Sequence, residues 1–133
     1  MDPSLNELGQ AWQFLRRTRF AEAEKLASSV LDRFPGNVSA LVVHAAALWG
    51  GGGSVEFALR ELRQAVALEP DNGAIRHNLA TLLASNGDLV GSNEEFRNAL
   101  RLKPNDTQAF FGLALNTKYA ARDNLLGTMV AMH

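Results

Sequence analysis

The sequence contains no cysteine, which excludes disulfide bonds and thiolate metal sites. It also lacks any run of about 18 uninterrupted apolar residues, so no membrane span is predicted. The formal net charge of −1 provides no excess of cations for a nucleic-acid surface. The first residues are acidic and polar, unlike the basic and apolar start of a secretory signal. These absences predict a cytoplasmic protein that binds neither nucleic acid nor membrane.

Residues suited to catalysis or metal binding are also scarce. The histidines are His44, His77 and His133, which form no i, i+4 pair and have no accompanying cluster of carboxylates. The glycine run from Gly50 to Gly53 follows a predicted helix rather than a strand, and no lysine closes it, so it does not match a phosphate-binding loop. The sequence therefore predicts no enzyme activity, no cofactor and no metal.

Prolines divide the chain into units of similar length. Pro35, Pro70 and Pro104 are separated by 35 and 34 residues, and each ends a helical pattern of apolar residues. Within a unit, a short turn separates two such patterns, such as Thr18-Arg19 in the first unit and Asn86-Gly87 in the third. The sequence therefore predicts an all-α chain with two helices in each unit. The glycine run adds one residue to its loop, which accounts for the spacing of 35.

Polar residues that commonly cap helices precede most of these patterns. The predicted N-caps are Asp2, Asn37, Ser54, Asp71 or Asn72, Asp88 and Asp106. A seventh helix is predicted after Asp106 and a shorter eighth one from Asp123 to Met132.

Small side chains recur at matching places in successive units. They are Ala11, Ala45, Ala80 and Ala114 in the first helices, and Ala23, Ala58, Ser92, Val30, Ala65 and Ala99 in the second helices. Short side chains allow two helices to approach to about 8–10 Å. Together with a period of about 34 residues, these positions resemble the tetratricopeptide-repeat family over nearly the whole chain.

The resemblance implies an α-α superhelix, or solenoid, of about three and a half helix–turn–helix repeats. It implies one domain over residues 1–133, with repeats at about 4–37, 38–72, 73–106 and a partial repeat at 107–133. In this family the first helix of each repeat lines an inner groove that binds extended peptides or helices. The matching groove residues are Trp12, Val42, Trp49, His77, Thr81, Phe111, Leu115 and Lys118.

A groove of this composition is apolar and rich in aromatic rings, so it would bind a partner by burying large side chains. Some family members grip the C-terminal carboxylate of heat-shock chaperones with Lys, Asn and Arg. Leu8, Trp12 and Val43 stand where Lys, Asn and Asn would be expected, which argues against a chaperone-tail ligand.

The resemblance implies a non-catalytic protein–protein interaction module whose partner is a protein or peptide. An alternative is the N-terminal docking or regulatory region of a larger enzyme. The segment from Thr117 to Leu126 resembles the junction in bacterial proteins whose repeats precede a sulfotransferase domain. A further prediction is self-association through the C-terminal end, because the apolar residues between Asp123 and Met132 leave little polar surface there.

Overall fold

The computed structural model of the chain describes residues 3–118, and all regular secondary structure in this range is helical. The first six helices are α1 (Pro3–Arg16), α2 (Phe20–Arg33), α3 (Val38–Gly50), α4 (Val55–Leu68), α5 (Gly73–Ser85) and α6 (Leu89–Leu102). A seventh helix, α7, occupies residues 107–118. The prediction of an all-α chain is confirmed. The predicted cap at Asp2 and the predicted eighth helix lie outside the described residues.

Polar side chains cap four of these helices as predicted. Each cap accepts a hydrogen bond from the backbone N–H three residues ahead, a donor that the helix itself leaves unpaired. The distances are 3.0 Å from Ala40 N to Asn37 Oδ1, 3.1 Å from Phe57 N to Ser54 Oγ, 2.8 Å from Gly91 N to Asp88 Oδ1 and 3.2 Å from Ala109 N to Asp106 Oδ1. For α5 it is Asn72 that accepts from Ile75 N, at 3.4 Å.

The turns after α1, α3 and α5 each contain a left-handed residue two positions beyond the helix. These residues are Thr18 with φ 58°, Gly52 with φ 79° and Gly87 with φ 87°. Glycine adopts this conformation freely, whereas a β-branched threonine is strained in it. One residue separates Thr18 and Gly87 from the next helix, but two residues follow Gly52. Gly53 is therefore the extra residue that lengthens this repeat.

The structure divides into two compact units, residues 1–75 and 76–133, with α5 spanning the division. In the first unit, α1 packs on α2, α2 on α3 and α3 on α4, and α1 also contacts α3. Small side chains form much of this core, as the repeat pattern predicts. The cluster contains Ala11, Ala23, Ala27, Val43 and Ala47, each at most 1% exposed.

The glycine run of the first unit is a packing site. The ring of Phe20, the first residue of α2, lies so close to Gly50 that a Cβ there would overlap the ring. A Cβ on Gly51 would also come within 3.2 Å of Phe20 Cβ. Glycine at these two positions therefore allows the end of α3 to approach the start of α2 closely.

A histidine–carboxylate pair is buried in the first unit. His44 on α3 and Glu61 on α4 are 8% and 6% exposed, and 2.6 Å separates His44 Nδ1 from Glu61 Oε1. Glu24 on α2 lies 4.0 Å from His44 Nε2. The hydrogen bond with Glu61 raises the pKa of His44 above its ordinary value, against the opposing effect of burial. His44 is therefore part of the packed interior of the first unit.

The second unit contains α6, α7 and most of α5. Its core cluster joins these three helices through Ala80, Phe96, Ala99 and Ala109. Ala99 is fully buried, as its place in the repeat pattern predicts. Ala114, at the fourth matching place in the first helices, is exposed instead. The helix predicted to cover it lies outside the described residues.

Candidate functional site

A cavity opens among α5, α6 and α7 in the second unit. Its volume is about 320 Å³, within the range of about 300–1,000 Å³ that is usual for ligand pockets. The lining residues are His77, Thr81, Ala84, Ser85, Phe96, Gln108, Phe111, Gly112, Leu115 and Asn116. None of them is an acid, a lysine or an arginine, so the lining favours an uncharged group.

Phe96 and Asn116 are the buried members of the lining, and together with Gly112 beside Phe96 they are called the floor of the cavity here. Phe96 is 6% exposed, and its ring lies directly against Gly112, where a Cβ would collide with it. The glycine therefore lets α7 lie close to this ring. The ring of His77 stands beside it, with ring centroids 6.2 Å apart and planes inclined at 56°.

His77 forms one edge of the cavity and is held on both ring nitrogens. Asp106 Oδ2 lies 2.6 Å from Nε2, and Gln108 Oε1 lies 3.0 Å from Nδ1. Asp106 also caps α7. Burial acts to raise the pKa of Asp106, but the hydrogen bonds from Ala109 N–H and from His77 outweigh it and lower that pKa. One carboxylate therefore sets both the start of α7 and the position of the imidazole.

Asn116 supplies the most enclosed polar side chain of the lining, at 4% exposure. Its Nδ2 group donates to Ser92 Oγ and to Asn93 Oδ1, both at 2.9 Å. Both acceptors belong to α6, so this amide connects α7 to α6 under the cavity.

Four of the eight residues predicted to bind a partner line this cavity. They are His77, Thr81, Phe111 and Leu115. Phe111 is 67% exposed and Leu115 is 38% exposed, so both offer apolar surface at the mouth. Lys118, the last described residue, is exposed on the same helix.

The other predicted groove residues, Trp12, Val42 and Trp49, belong to the first unit. Trp12 and Trp49 are 37% and 41% exposed, whereas Val42 is 7% exposed and has little surface to offer a partner. A single groove that joins all eight residues stays a prediction.

Two positions assigned to a chaperone-tail clamp are also buried. Leu8 is 5% exposed and Val43 is fully buried. Neither side chain presents a surface to a ligand, so they are core positions rather than groove positions.

The lining residues that sequence reasoning did not assign to the site are Ser85, Phe96, Gln108, Gly112 and Asn116. Phe96 is buried, but the helical pattern around it carries no sign that a cavity lies above its ring. Gly112 breaks an otherwise continuous apolar stretch on α7, and that break is the one local signal of a close approach.

Within residues 3–118, no group of three or more histidine or acidic side chains is arranged to hold a metal ion. Nor does this part of the chain contain a helix long and apolar enough to cross a membrane.

No protein-family model and no curated protein matches the sequence. Solved structures do match the fold. The first tetratricopeptide domain of Spaghetti, bound to an HSP90 peptide, aligns with a TM-score of 0.81 at 18% identity, over 89% of this chain and 93% of that chain. The Yersinia enterocolitica secretion chaperone SycD, in complex with a peptide of the translocator YopD, aligns with a TM-score of 0.77 at 13% identity, over 90% and 97% of the two chains.

A third match is a mutant O-GlcNAc transferase from Thermobaculum terrenum. It aligns with a TM-score of 0.72 at 23% identity, over 87% of this chain but only 23% of that chain. At these identities the likeness concerns the fold alone. The paired helices, the repeated turns and these alignments show that the chain has the all-α fold of tetratricopeptide-repeat domains.

Proposed function

We propose that this chain is a non-catalytic interaction module that binds a peptide or a helix of a partner protein, with the cavity of the second unit as part of its binding surface. The observation that carries this proposal is the exposure of Phe111, 67%, at the mouth of a cavity whose lining contains no acidic, lysine or arginine side chain. A large exposed apolar ring beside a concave surface is typical of an interaction site.

The cavity suits a large side chain that projects from an otherwise exposed segment. Phe96 provides a buried aromatic floor, while Phe111 and Leu115 can close over the edge of an inserted group. Aromatic anchors of this kind typically contribute about 2 kcal/mol or more to binding. Affinity would come mainly from this anchor, and the polar groups around the mouth would orient the chain that carries it.

The matched structures support a peptide as the ligand. The Spaghetti domain is bound to an HSP90 peptide, and SycD is in complex with a peptide of YopD. Two proteins of this fold with different ligands favour a peptide-binding role and leave the ligand sequence open.

The proposal is tested with peptides selected from a displayed random library on the intact protein. The affinity of a selected peptide is then measured by fluorescence anisotropy for the wild type, Phe111→Ala and Phe110→Ala. Phe110 is a matched control because it is the adjacent residue, is 59% exposed and does not line the cavity. We expect Phe111→Ala to weaken binding by about 2 kcal/mol, with Phe110→Ala close to the wild type.

The opposite ranking would mean that the ligand lies on another face of α7, and the assignment to the cavity would be wrong. Circular dichroism of both variants checks that the helices are retained. The extension of the groove to Trp12, Val42, Trp49 and Lys118 stays a prediction, as do the single domain over residues 1–133 and the cytoplasmic location. Self-association through residues 123–132 also stays a prediction, and those residues lie outside the described part.

A second candidate function is the docking region of a larger enzyme. The observation that favours it is the match to a transferase, 23% of whose chain aligns with 87% of this one. A downstream reading frame that encodes a catalytic domain would support this alternative, and a stop codon directly after His133 in the gene would contradict it. That the enzyme is a sulfotransferase stays a prediction.

A further inference from the structure

The side-chain amide of Asn116 has a nitrogen whose hydrogen bonds are complete and a carbonyl oxygen that accepts none from residues 3–118. Its Nδ2 group donates to Ser92 Oγ and Asn93 Oδ1 at 2.9 Å each, which uses both amide protons. These two bonds set the orientation of the amide. The carbonyl oxygen Oδ1 consequently points away from those two acceptors.

No group in the described part of the chain donates a hydrogen bond to Asn116 Oδ1. Every fully buried side-chain nitrogen or oxygen among residues 3–118 has a hydrogen-bond partner, so this oxygen is not sealed in the core. Because Asn116 lines the cavity and is itself only 4% exposed, the cavity is the route by which a ligand would reach this oxygen. A ligand that covers it without donating a hydrogen bond would leave it desolvated and unpaired, which weakens binding.

The surroundings of this oxygen restrict the chemistry of the ligand. The cavity floor also contains the ring of Phe96. No Asp, Glu, Lys or Arg side chain lines the cavity. A matching group therefore has a large apolar body and one donor at its inner end. Indole has that form, since its N–H donates and it has no acceptor to satisfy. A phenol would bring acceptor lone pairs as well as its donor.

We propose that the cavity selects a tryptophan side chain of the bound peptide, with the indole N–H donating to Asn116 Oδ1 and the indole ring packing on Phe96. This inference rests on the proposed function, because it names the side chain that the peptide inserts. It assigns Asn116 as the residue that determines specificity.

The test compares three probes on the unmodified protein, so it does not depend on the folding of a variant. They are N-acetyl-L-tryptophanamide, the same compound methylated on the indole nitrogen, and N-acetyl-L-phenylalaninamide. Each is titrated into the ¹⁵N-labelled full chain, and the amide shifts of Thr81, Gly112 and Asn116 are followed by NMR. We expect the methylated and phenylalanine probes to bind about five- to tenfold more weakly than the tryptophan probe, since each lacks the indole donor.

A variant pair adds a second measurement. Asn116→Leu should abolish the preference for the tryptophan probe over the methylated one, because the acceptor is removed. Asn105→Leu, at an exposed asparagine of the same unit, should retain that preference. Peptides selected on the wild type should likewise contain tryptophan, and replacing it with phenylalanine should weaken their binding by a similar factor.

Equal affinities of the three probes at the cavity would overturn the role of Asn116 and leave the proposed function intact. Absence of shifts at all three amides would overturn the inference as a whole. The proposed function is decided separately, by whether selected peptides bind and whether Phe111→Ala weakens their binding.

Discussion

Replacing one member of the buried pair His44 and Glu61 should destabilise the first unit strongly. In His44→Leu, the buried Glu61 side chain loses the imidazole that lies 2.6 Å away, and no other cation among residues 3–118 pairs with it. Removing one partner of a buried ion pair typically costs about 3–5 kcal/mol. Glu61→Leu should cost less, because a neutral imidazole is tolerated in the interior better than a carboxylate.

The double variant His44→Leu with Glu61→Leu distinguishes the net contribution of the pair from the cost of leaving one partner buried alone. Replacing both groups by apolar side chains removes the free-energy cost of desolvating two charges, and it also removes their mutual attraction. We expect the double variant to lie within about 1 kcal/mol of the wild type or to exceed it in stability. It should therefore be more stable than His44→Leu alone.

Urea unfolding followed by tryptophan fluorescence measures this directly. The sequence has two tryptophans, Trp12 and Trp49, and both lie in the first unit with the pair. The exposed ion pair of Arg19 and Glu22 is the control, with side chains 55% and 43% exposed and 2.7 Å apart. Glu22→Ala should change the free energy of unfolding by about 0.5 kcal/mol or less.

The pair also predicts how stability varies with pH. The pKa of His44 in the folded protein is raised above 6.5, its ordinary value, by the hydrogen bond to Glu61. The resulting stabilisation is complete below that ordinary value and is lost as pH rises through the raised pKa. The wild type should therefore lose stability relative to the double variant above about pH 6.5.

Two results would refute this reasoning. If His44→Leu were no more destabilised than Glu22→Ala, the pair would not be enclosed as the structure has it. If the wild type and the double variant had parallel stability curves between about pH 6 and 8, the raised pKa of His44 would be wrong.

The remaining predictions concern two backbone positions. Gly112→Ala should destabilise the protein by about 1–3 kcal/mol in urea and weaken ligand binding, because the new methyl group overlaps the ring of Phe96. Gly73→Ala, which meets nothing within 4 Å, is its control, and equal midpoints for the two variants would mean that the ring moves aside freely. Thr18→Gly should stabilise the protein by up to about 1 kcal/mol, because Thr18 has a φ of 58° and glycine relieves the strain. A lower urea midpoint for Thr18→Gly than for Thr18→Ala would contradict that account.

The elements of the fold were predictable from the sequence because their signals are local. An N-cap such as Ser54 acts on a backbone donor three residues away, and a proline ends a helix through its own ring. Small residues at repeated spacing likewise predicted buried contacts such as that of Ala99. Caps, prolines and spacing can be recognised without knowing which helices pack against each other.

The floor of the site was not predictable because its contacts cross between helices. Asn116 and Ser92 are 24 residues apart, and their hydrogen bond exists only once α7 packs on α6. The burial of Val42 was missed for a different reason. Nearly every residue of α3 is apolar, so its pattern has no contrast between a buried face and an exposed one.

The order of helix contacts in the first unit has a consequence for the speed of folding. The contacts described above join helices that are adjacent in the chain, or that have one helix between them. Forming them therefore closes only short loops, and the entropy lost before a contact becomes favourable is small. Helical proteins with such local contacts fold in about microseconds to milliseconds. A newly synthesised first unit would thus spend little time with the apolar surface of α3 exposed, which limits its opportunity to aggregate.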